Sequence, residues 1–428
     1  MIKILKYSDL DFAALDRRMS IQSSDDVDKS VDIILSSVKI HGDDAVIDYT
    51  AQYDGVRLDN LIVSAEEITD AISSLDKSFL NILQEAAENI KDFHAKQIRT
   101  GYSITDKRGI VLGQRITAIE KVGIYVPGGT ASYPSTVLMN AVPAKLAGVE
   151  QLVMCTPPGK DGKIAPAILA AAHLSGVDII FKCGGAQAIA AMAFGTESIQ
   201  KVYKIVGPGN IYVATAKRKV FGLVDIDMIA GPSDILVLAD DRANPVNIAA
   251  DMLAQAEHDI LASAVLVTTS ANLAGLVRDE IESQLKILPR SEIASDAIEN
   301  GSMIVICDNT SDTIDCINHI APEHLEIYTE NPFAILGEIK NAGSIFLGGY
   351  APEALGDYFA GPNHTLPTMG TARFSSPLSV DDFVKKSSYT YYSREALAAV
   401  SEKIASFARM EGLEAHARSV EVRNDEIS

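Results

Sequence analysis

The sequence predicts an α/β protein built on two parallel sheets, with a helical N-terminal segment and a small helical C-terminal tail. Three observations lead there. From about residue 109 the hydrophobic period changes, and short apolar runs begin to alternate with helical stretches rich in small residues, the signature of βαβ units. Glycine-rich turns stand where several of those runs end and a helix begins. The runs are too numerous for one sheet of ordinary size and divide naturally into two.

Taken in order, residues 1 to about 100 read mainly as helix. Within 76–99, Phe79, Leu83, Ala86, Ile90 and Phe93 recur at three- and four-residue spacing, one apolar stripe of an amphipathic helix. Strands are predicted at 122–126, 151–155, 177–182 and 204–206, alternating with helices at 135–147, 166–175, 186–194 and 211–221. After Gly231-Pro232 the pattern resumes, with strands at 235–239, 264–268, 303–307, 325–328 and 344–347 and helices near 244–257, 272–286 and 311–319. Residues 350–380, rich in Gly, Pro, Ser and Thr, read as extended loop. The last fifty residues return to helix, with Leu397, Val400, Ile404 and Phe407 on one face.

Composition narrows the function classes. The 428 residues, 47% hydrophobic and 22% charged, suffice for one large α/β domain or two to three smaller ones. No run of eighteen or more apolar residues occurs, so no transmembrane helix is predicted. The N-terminus reaches Asp9 without an apolar signal core. Cys155, Cys183, Cys307 and Cys316 are scattered with no C-x-x-C pair, which fits a reducing cytoplasm and disfavours a thiolate metal site. A formal net charge of −20 argues against nucleic acid or an anionic membrane as partner.

Several segments carry chemistry. In His319-Ile-Ala-Pro-Glu-His-Leu-Glu-Ile327, Glu323 and His324 follow Pro322 and precede an apolar, strand-like run. Pro322 disfavours helix at Ala321, so the pair reads as a loop feeding a strand, and adjacent carboxylate and imidazole suit acid/base work. Neighbours on a regular strand face opposite sides, so a turn is expected at this dipeptide. Glycine-rich strand ends at Val126-Pro-Gly-Gly-Thr130, Cys183-Gly-Gly-Ala-Gln187 and Val206-Gly-Pro-Gly-Asn210 offer backbone N–H groups to a phosphate. They equally serve as tight turns that need glycine's freedom, and neither G-x-G-x-x-G nor G-x-x-x-x-G-K-[ST] is complete. Gln255 and His258 share a helix face. With Asp357 and His364 in one loop, and Glu411 and His416 near the C-terminus, they form a candidate donor set for zinc or a similar divalent ion. His41, His94, His173 and His319 sit on or beside helical stretches and read as structural.

Together these segments resemble the histidinol dehydrogenase family. The resemblance rests on Tyr125-Val-Pro-Gly-Gly129, Gly184-Gly-Ala-Gln-Ala188, Gly207-Pro-Gly-Asn210, Ala230-Gly-Pro-Ser233, Gln255-Ala-Glu-His258, Ala321-Pro-Glu-His-Leu325 and Leu355-Gly-Asp357. It extends through Pro362-Asn-His-Thr-Leu-Pro-Thr368, Ala372-Arg-Phe-Ser-Ser-Pro-Leu-Ser379 and Glu411 to His416, in order over nearly the whole chain. One departure is visible: Asp234 stands where the family usually has Glu.

The resemblance implies oxidation of L-histidinol through L-histidinaldehyde to L-histidine with two NAD, the last step of histidine biosynthesis. It implies one Zn²⁺ per subunit on Gln255, His258, Asp357 and His416. The acid/base pair would be Glu323, activating water, and His324, the general base. Ser233, His364 and Glu411 join these groups as substrate contacts, and Tyr125, Gln187 and Asn210 contact NAD. The implied organisation is an N-terminal segment (1–20), a discontinuous catalytic α/β domain (21–125 and 235–378), a Rossmann-like domain on the NAD side (126–234) and a helical tail (379–428). That tail would cross to the partner of a cytoplasmic homodimer, where His416 and Glu411 complete the other subunit's site. Two other readings stay open here: a related zinc- and NAD-dependent dehydrogenase acting on another alcohol, and a non-catalytic nucleotide- or metal-binding protein. A rival route for the second oxidation is a thiohemiacetal on Cys183, the one cysteine beside a glycine turn.

Overall fold

The computed structural model describes residues 1–13, 24–128 and 132–425. The expected segment 1–20 is thus described only to residue 13, and Gly129 and Thr130 of the first glycine turn lie outside the described residues. The chain forms two compact units, Met1–Gln97 with Ile119–Phe383, and Ile98–Ala118 with Val384–Ser428.

The first unit contains both parallel sheets. Six strands run in the order β1 (Lys3–Lys6), β11 (Met303–Ile306), β10 (Ser263–Thr268), β9 (Asp234–Ala239), β12 (His324–Tyr328) and β13 (Ser344–Leu347). Five more run β6 (Ile179–Lys182), β5 (Gln151–Thr156), β4 (Lys121–Tyr125), β7 (Lys204–Val206) and β8 (Asp225–Ile226).

Strand alternation divides the core, because successive side chains leave opposite faces of a sheet. On the five-stranded sheet, Val122, Ile124, Leu152 and Met154 pack with α2 (Ala65–Ser73), α3 (Lys77–His94), α4 (Pro134–Ala147) and α5 (Pro166–Ser175). Tyr125, Val153 and Cys155 turn the other way, against α1 (Asp25–Tyr53), α6 (Gly185–Phe194) and α7 (Ile211–Val220).

The six-stranded sheet repeats the scheme. Ile235, Val237, Ala264 and Leu266 face α8 (Pro245–Ala256), α9 (Ala271–Leu285) and α10 (Ser291–Asn300). Leu236, Leu238, Leu325 and Ile327 face α11 (Thr310–Ile320) and α12 (Pro332–Leu336). The register pairs His324 with Ile235, Leu325 with Leu236 and Glu326 with Val237, so His324 and Glu326 emerge on the α8 side. That placement sets up the site. The short helix α13 (Glu353–Tyr358) follows β13.

The second unit is an antiparallel sheet, β14 (Val384–Tyr391), β3 (Val111–Ala118) and β2 (Tyr102–Thr105) in that order, with α14 (Arg394–Met410) and α15 (Glu414–Asp425). The sequence reading lacks strands β2, β3 and β8 and helices α10 and α12, and three further elements differ from it. The N-terminus contributes a strand, β1, because its four residues pair in parallel with β11 some three hundred positions away. The tail begins as a strand rather than a helix: Lys-Lys-Ser-Ser-Tyr-Thr-Tyr-Tyr is β-prone, and Val384–Tyr391 pairs along all of β3. The loop expected at 350–380 contains α13, one and a half turns that carry Asp357.

Candidate active site

The site is assembled by the turn that enters β12. Helix α11 ends at Ala321, a non-glycine residue at φ 52°, so the chain reverses into Pro322 and Glu323 before the strand begins at His324. The expected turn is present. Gly343 lets it approach closely, since a Cβ there would stand 2.5 Å from the Glu323 carbonyl oxygen. The Glu323 carbonyl accepts the Ser344 N–H at 2.8 Å, and the Pro322 carbonyl accepts the Gly343 N–H at 2.9 Å.

Asp234, first residue of β9, clasps this turn. Its carboxylate accepts the Glu323 N–H at 2.9 Å and the Met369 N–H at 3.3 Å, while its own N–H donates to the Glu323 carboxylate at 3.1 Å. Its carbonyl oxygen lies 3.2 Å from His324 Nδ1. With that nitrogen protonated, the bond leaves Nε2 as the lone-pair acceptor. The Ser233 hydroxyl bonds the Glu323 carboxylate.

The surroundings are buried and acidic. Burial, and then the charge of Asp234, raise Glu323 well above the usual carboxylate range. Burial lowers His324 to about 4, so it stays neutral across the physiological range. Glu353, at the start of α13, lies 3.7 Å from His324 Nδ1; burial and the charges of Asp357 and Asp251 raise it well above the usual range. Glu326, two residues along β12 from His324, hydrogen-bonds the Asp251 carboxyl on α8. Two carboxyl groups bond only with a proton between them, and burial holds both above the ordinary range.

A donor set stands beside this pair. Ligand atoms of His258, Glu353 and Asp357 lie within 4.8 Å of one another. His364 lies 3.6 Å from the Asp357 carboxylate, with Nδ1 3.1 Å from the Asp357 carbonyl. Gln255 is fully buried on the last turn of α8, and neither atom of its amide finds a partner among the described residues. The same holds for His324 Nε2 and Glu353 Oε2. Buried polar atoms left without partners are costly. Amide, imidazole and carboxylate donors with unspent lone pairs fit a zinc-type ion.

The structure therefore brings together Ser233, Gln255, His258, Glu323, His324, Asp357 and His364. Glu411 and His416 belong to the second unit, where both are exposed, Glu411 as the C-cap of α14 and His416 on α15. Sequence reasoning missed Glu353, although Glu353 and Asp357 are four apart and share a helix face. It also missed Glu326, whose signal is the alternation His324-Leu-Glu326: two polar side chains on one face of a buried strand.

On the five-stranded sheet the glycine turns converge on Tyr125. Its hydroxyl accepts the Gly185 N–H at 3.1 Å. A Cβ at Gly207, held at φ 111°, would stand 2.1 Å from the Tyr125 carbonyl oxygen. Gln187 is buried with Oε1 unpartnered among the described residues. Asn210 caps α7, its Oδ1 accepting the N–H groups of Tyr212 and Val213 at 3.1 and 3.2 Å. Cys183 is a fully buried free thiol, and its hydrogen bond with Cys155 together with burial raises it well above its ordinary value. Such a thiol is a poor nucleophile, which removes support for the thiohemiacetal route.

Comparison with known proteins points one way. A family profile described as histidinol dehydrogenase matches residues 17–424. The histidinol dehydrogenase of Clostridium acetobutylicum is 56% identical over 427 residues, covering 99% of each chain. That of Bacillus subtilis is 56% identical over 400 residues, 94% of each. The crystal structure of histidinol dehydrogenase from Elizabethkingia anophelis superposes with a TM-score of 0.93 at 40% identity, covering 100% of this chain and 98% of that one. Among the described residues, no helix is long and apolar enough to cross a membrane.

Proposed function

Since this chain belongs to the histidinol dehydrogenase family, we propose that it oxidises L-histidinol to L-histidine in two NAD-dependent steps at the turn entering β12. The observation that carries this reading is the set of orphaned buried atoms, the Gln255 amide, His324 Nε2 and Glu353 Oε2, beside the His258–Glu353–Asp357 trio. Gln255, His258 and Asp357 would hold the metal, with Glu353 against it and His416 supplied by a second copy of the chain in a cytoplasmic homodimer. A bound zinc ion would supply Lewis acidity and a fixed perch for the imidazole and amine of the substrate.

The remaining chemistry belongs to the chain. In the first oxidation His324 Nε2 takes the alcohol proton as hydride leaves carbon for NAD, giving the aldehyde. The Asp234 carbonyl keeps Nδ1 protonated and so keeps that lone pair turned toward the substrate. In the second, Glu323 takes a proton from the water that adds to the aldehyde. Once His324 has passed its first proton to solvent, the hydrate loses hydride to a second NAD while His324 accepts a hydroxyl proton, and the carboxylate results. Burial makes Glu323 a stronger base than an exposed carboxylate. Ser233, His364 and Glu411 contact the substrate. NAD lies along the glycine turns at Tyr125, Gln187 and Asn210.

The test is a histidinol-dependent NADH assay on purified protein with its metal content measured. The reading expects two NADH per histidinol, loss of turnover on chelation and recovery with zinc. Absence of turnover with zinc and NAD supplied contradicts it.

A further inference from the structure

The metal donors and the general base of the site ride on three separate elements. Helix α8 carries Gln255 and leads into His258, β12 carries His324, and α13 carries Glu353 and Asp357. Such a site works only when the elements keep a fixed separation. One side chain touches all three. Glu326 leaves β12 on the same face as His324, and it is only 4% exposed. Its Oε1 accepts the Glu353 N–H, the first of α13, at 2.8 Å. Its carboxyl also bonds that of Asp251, which lies four residues before Gln255 and so on the same face of α8.

We propose that Asp251 and Glu326 are positioning residues, a clamp that sets α13 against α8 through β12 and thereby presets the spacing of the metal donors. Neither carboxyl belongs to the donor trio. The clamp acts through Glu353 and Gln255, as groups one layer behind a metal site orient its ligands. The inference rests on reading the donor set as a metal site.

Glu326→Gln tests the clamp without dismantling it, since the amide can donate to Asp251 while its oxygen accepts the Glu353 N–H. Glu326→Leu removes both bonds. Should that variant fail to fold, Asp251→Ala cuts only the tie to α8 and leaves the bond to Glu353. Zinc retention against a chromogenic chelator is measured on each full-length protein, with the melting temperature of the zinc-free form and the KM for histidinol and for NAD. The clamp predicts that Glu326→Leu or Asp251→Ala loosens zinc about 10- to 100-fold and raises the histidinol KM. The NAD KM stays within about twofold, and Glu326→Gln behaves as wild type. Zinc held by both disrupted variants as tightly as by wild type overturns the clamp. So does a rise in both KM values that tracks a falling melting temperature, which marks a general structural role. A wild-type protein that retains no zinc overturns the metal reading itself, and the clamp with it.

Discussion

The two parallel sheets obey the same rules and treat buried charge in opposite ways. On the five-stranded sheet the buried lysines meet carboxylates: Lys217 pairs with Asp227, both side chains almost wholly hidden, and Lys204 reaches Asp225 at 3.0 Å. Lys217 also donates to the Gly207 carbonyl at 2.9 Å, and Asp227 accepts the Gly207 N–H at 2.7 Å. On the six-stranded sheet, Glu323, Glu326 and Glu353 are buried among one another and Asp234, Asp251 and Asp357, and those charges raise them further. A buried charge without a counter-charge is expensive. The first sheet compensates its buried charges internally; the second leaves its carboxyls gathered with no lysine or arginine paired to them among the described residues. The difference separates a scaffold from a site more sharply than fold does.

Removing the base strikes the second region hardest. His324→Ala should lower kcat by about 10²- to 10⁴-fold while leaving the melting temperature within a few degrees. A large fall in melting temperature with modest loss of kcat would make His324 structural and erase the contrast.

In the first region the order reverses. Lys217→Met strands Asp227 and should cost about 3–5 kcal/mol of stability, read by urea denaturation. If stability is untouched, that pair is not the compensation described.

Metal and pH sharpen the comparison next. Burial raises Asp234 to about 6 and Glu326 to about 9, so both favour the protonated folded state. Their contribution is complete below the unfolded carboxyl values near 4 and is lost as pH rises through about 6 and then about 9. Zinc-free protein should therefore lose stability between pH 5 and pH 9. At one fixed zinc concentration the gain on adding zinc should be larger at pH 8 than at pH 6, reaching about 2.7 kcal/mol where that concentration is a hundredfold over Kd. An equal gain at both pH values would show that these carboxyls lie outside the cation's influence.

The smallest effect divides the half-reactions. Glu323→Gln should spare the first hydride transfer, seen as a single-turnover NADH burst, and slow aldehyde oxidation by roughly 10²-fold. Equal slowing of both steps removes the water-activating role.

Much of this was legible in the chain. The alternation of apolar runs and small-residue helices marks the parallel strands 121–347 within a residue or two, the two-residue β8 excepted, because buried strands and their covering helices write local patterns. β1, β2, β3 and β14 are not so marked, since β1 and β14 depend on partners far along the chain and β2 lies wholly exposed. Glu323, His324, Gln255, His258 and Asp357 stood out as polar groups in motif-like segments. Glu326 and Glu353 carry only faint signals, the alternation with His324 and the four-residue spacing to Asp357, and Asp251 carries none, because their significance is mutual. Only the register that turns His324 and Glu326 toward α8 brings them together, and no one-dimensional pattern contains it.

The most direct test of the account is zinc titration into metal-free protein, comparing wild type with His258→Ala by calorimetry while histidinol-dependent NADH formation is followed on the same samples. Wild type should show one tight site per chain and turnover that rises in step with its filling, and the variant neither. Full turnover from metal-free wild type, or an unaltered site in His258→Ala, would contradict it.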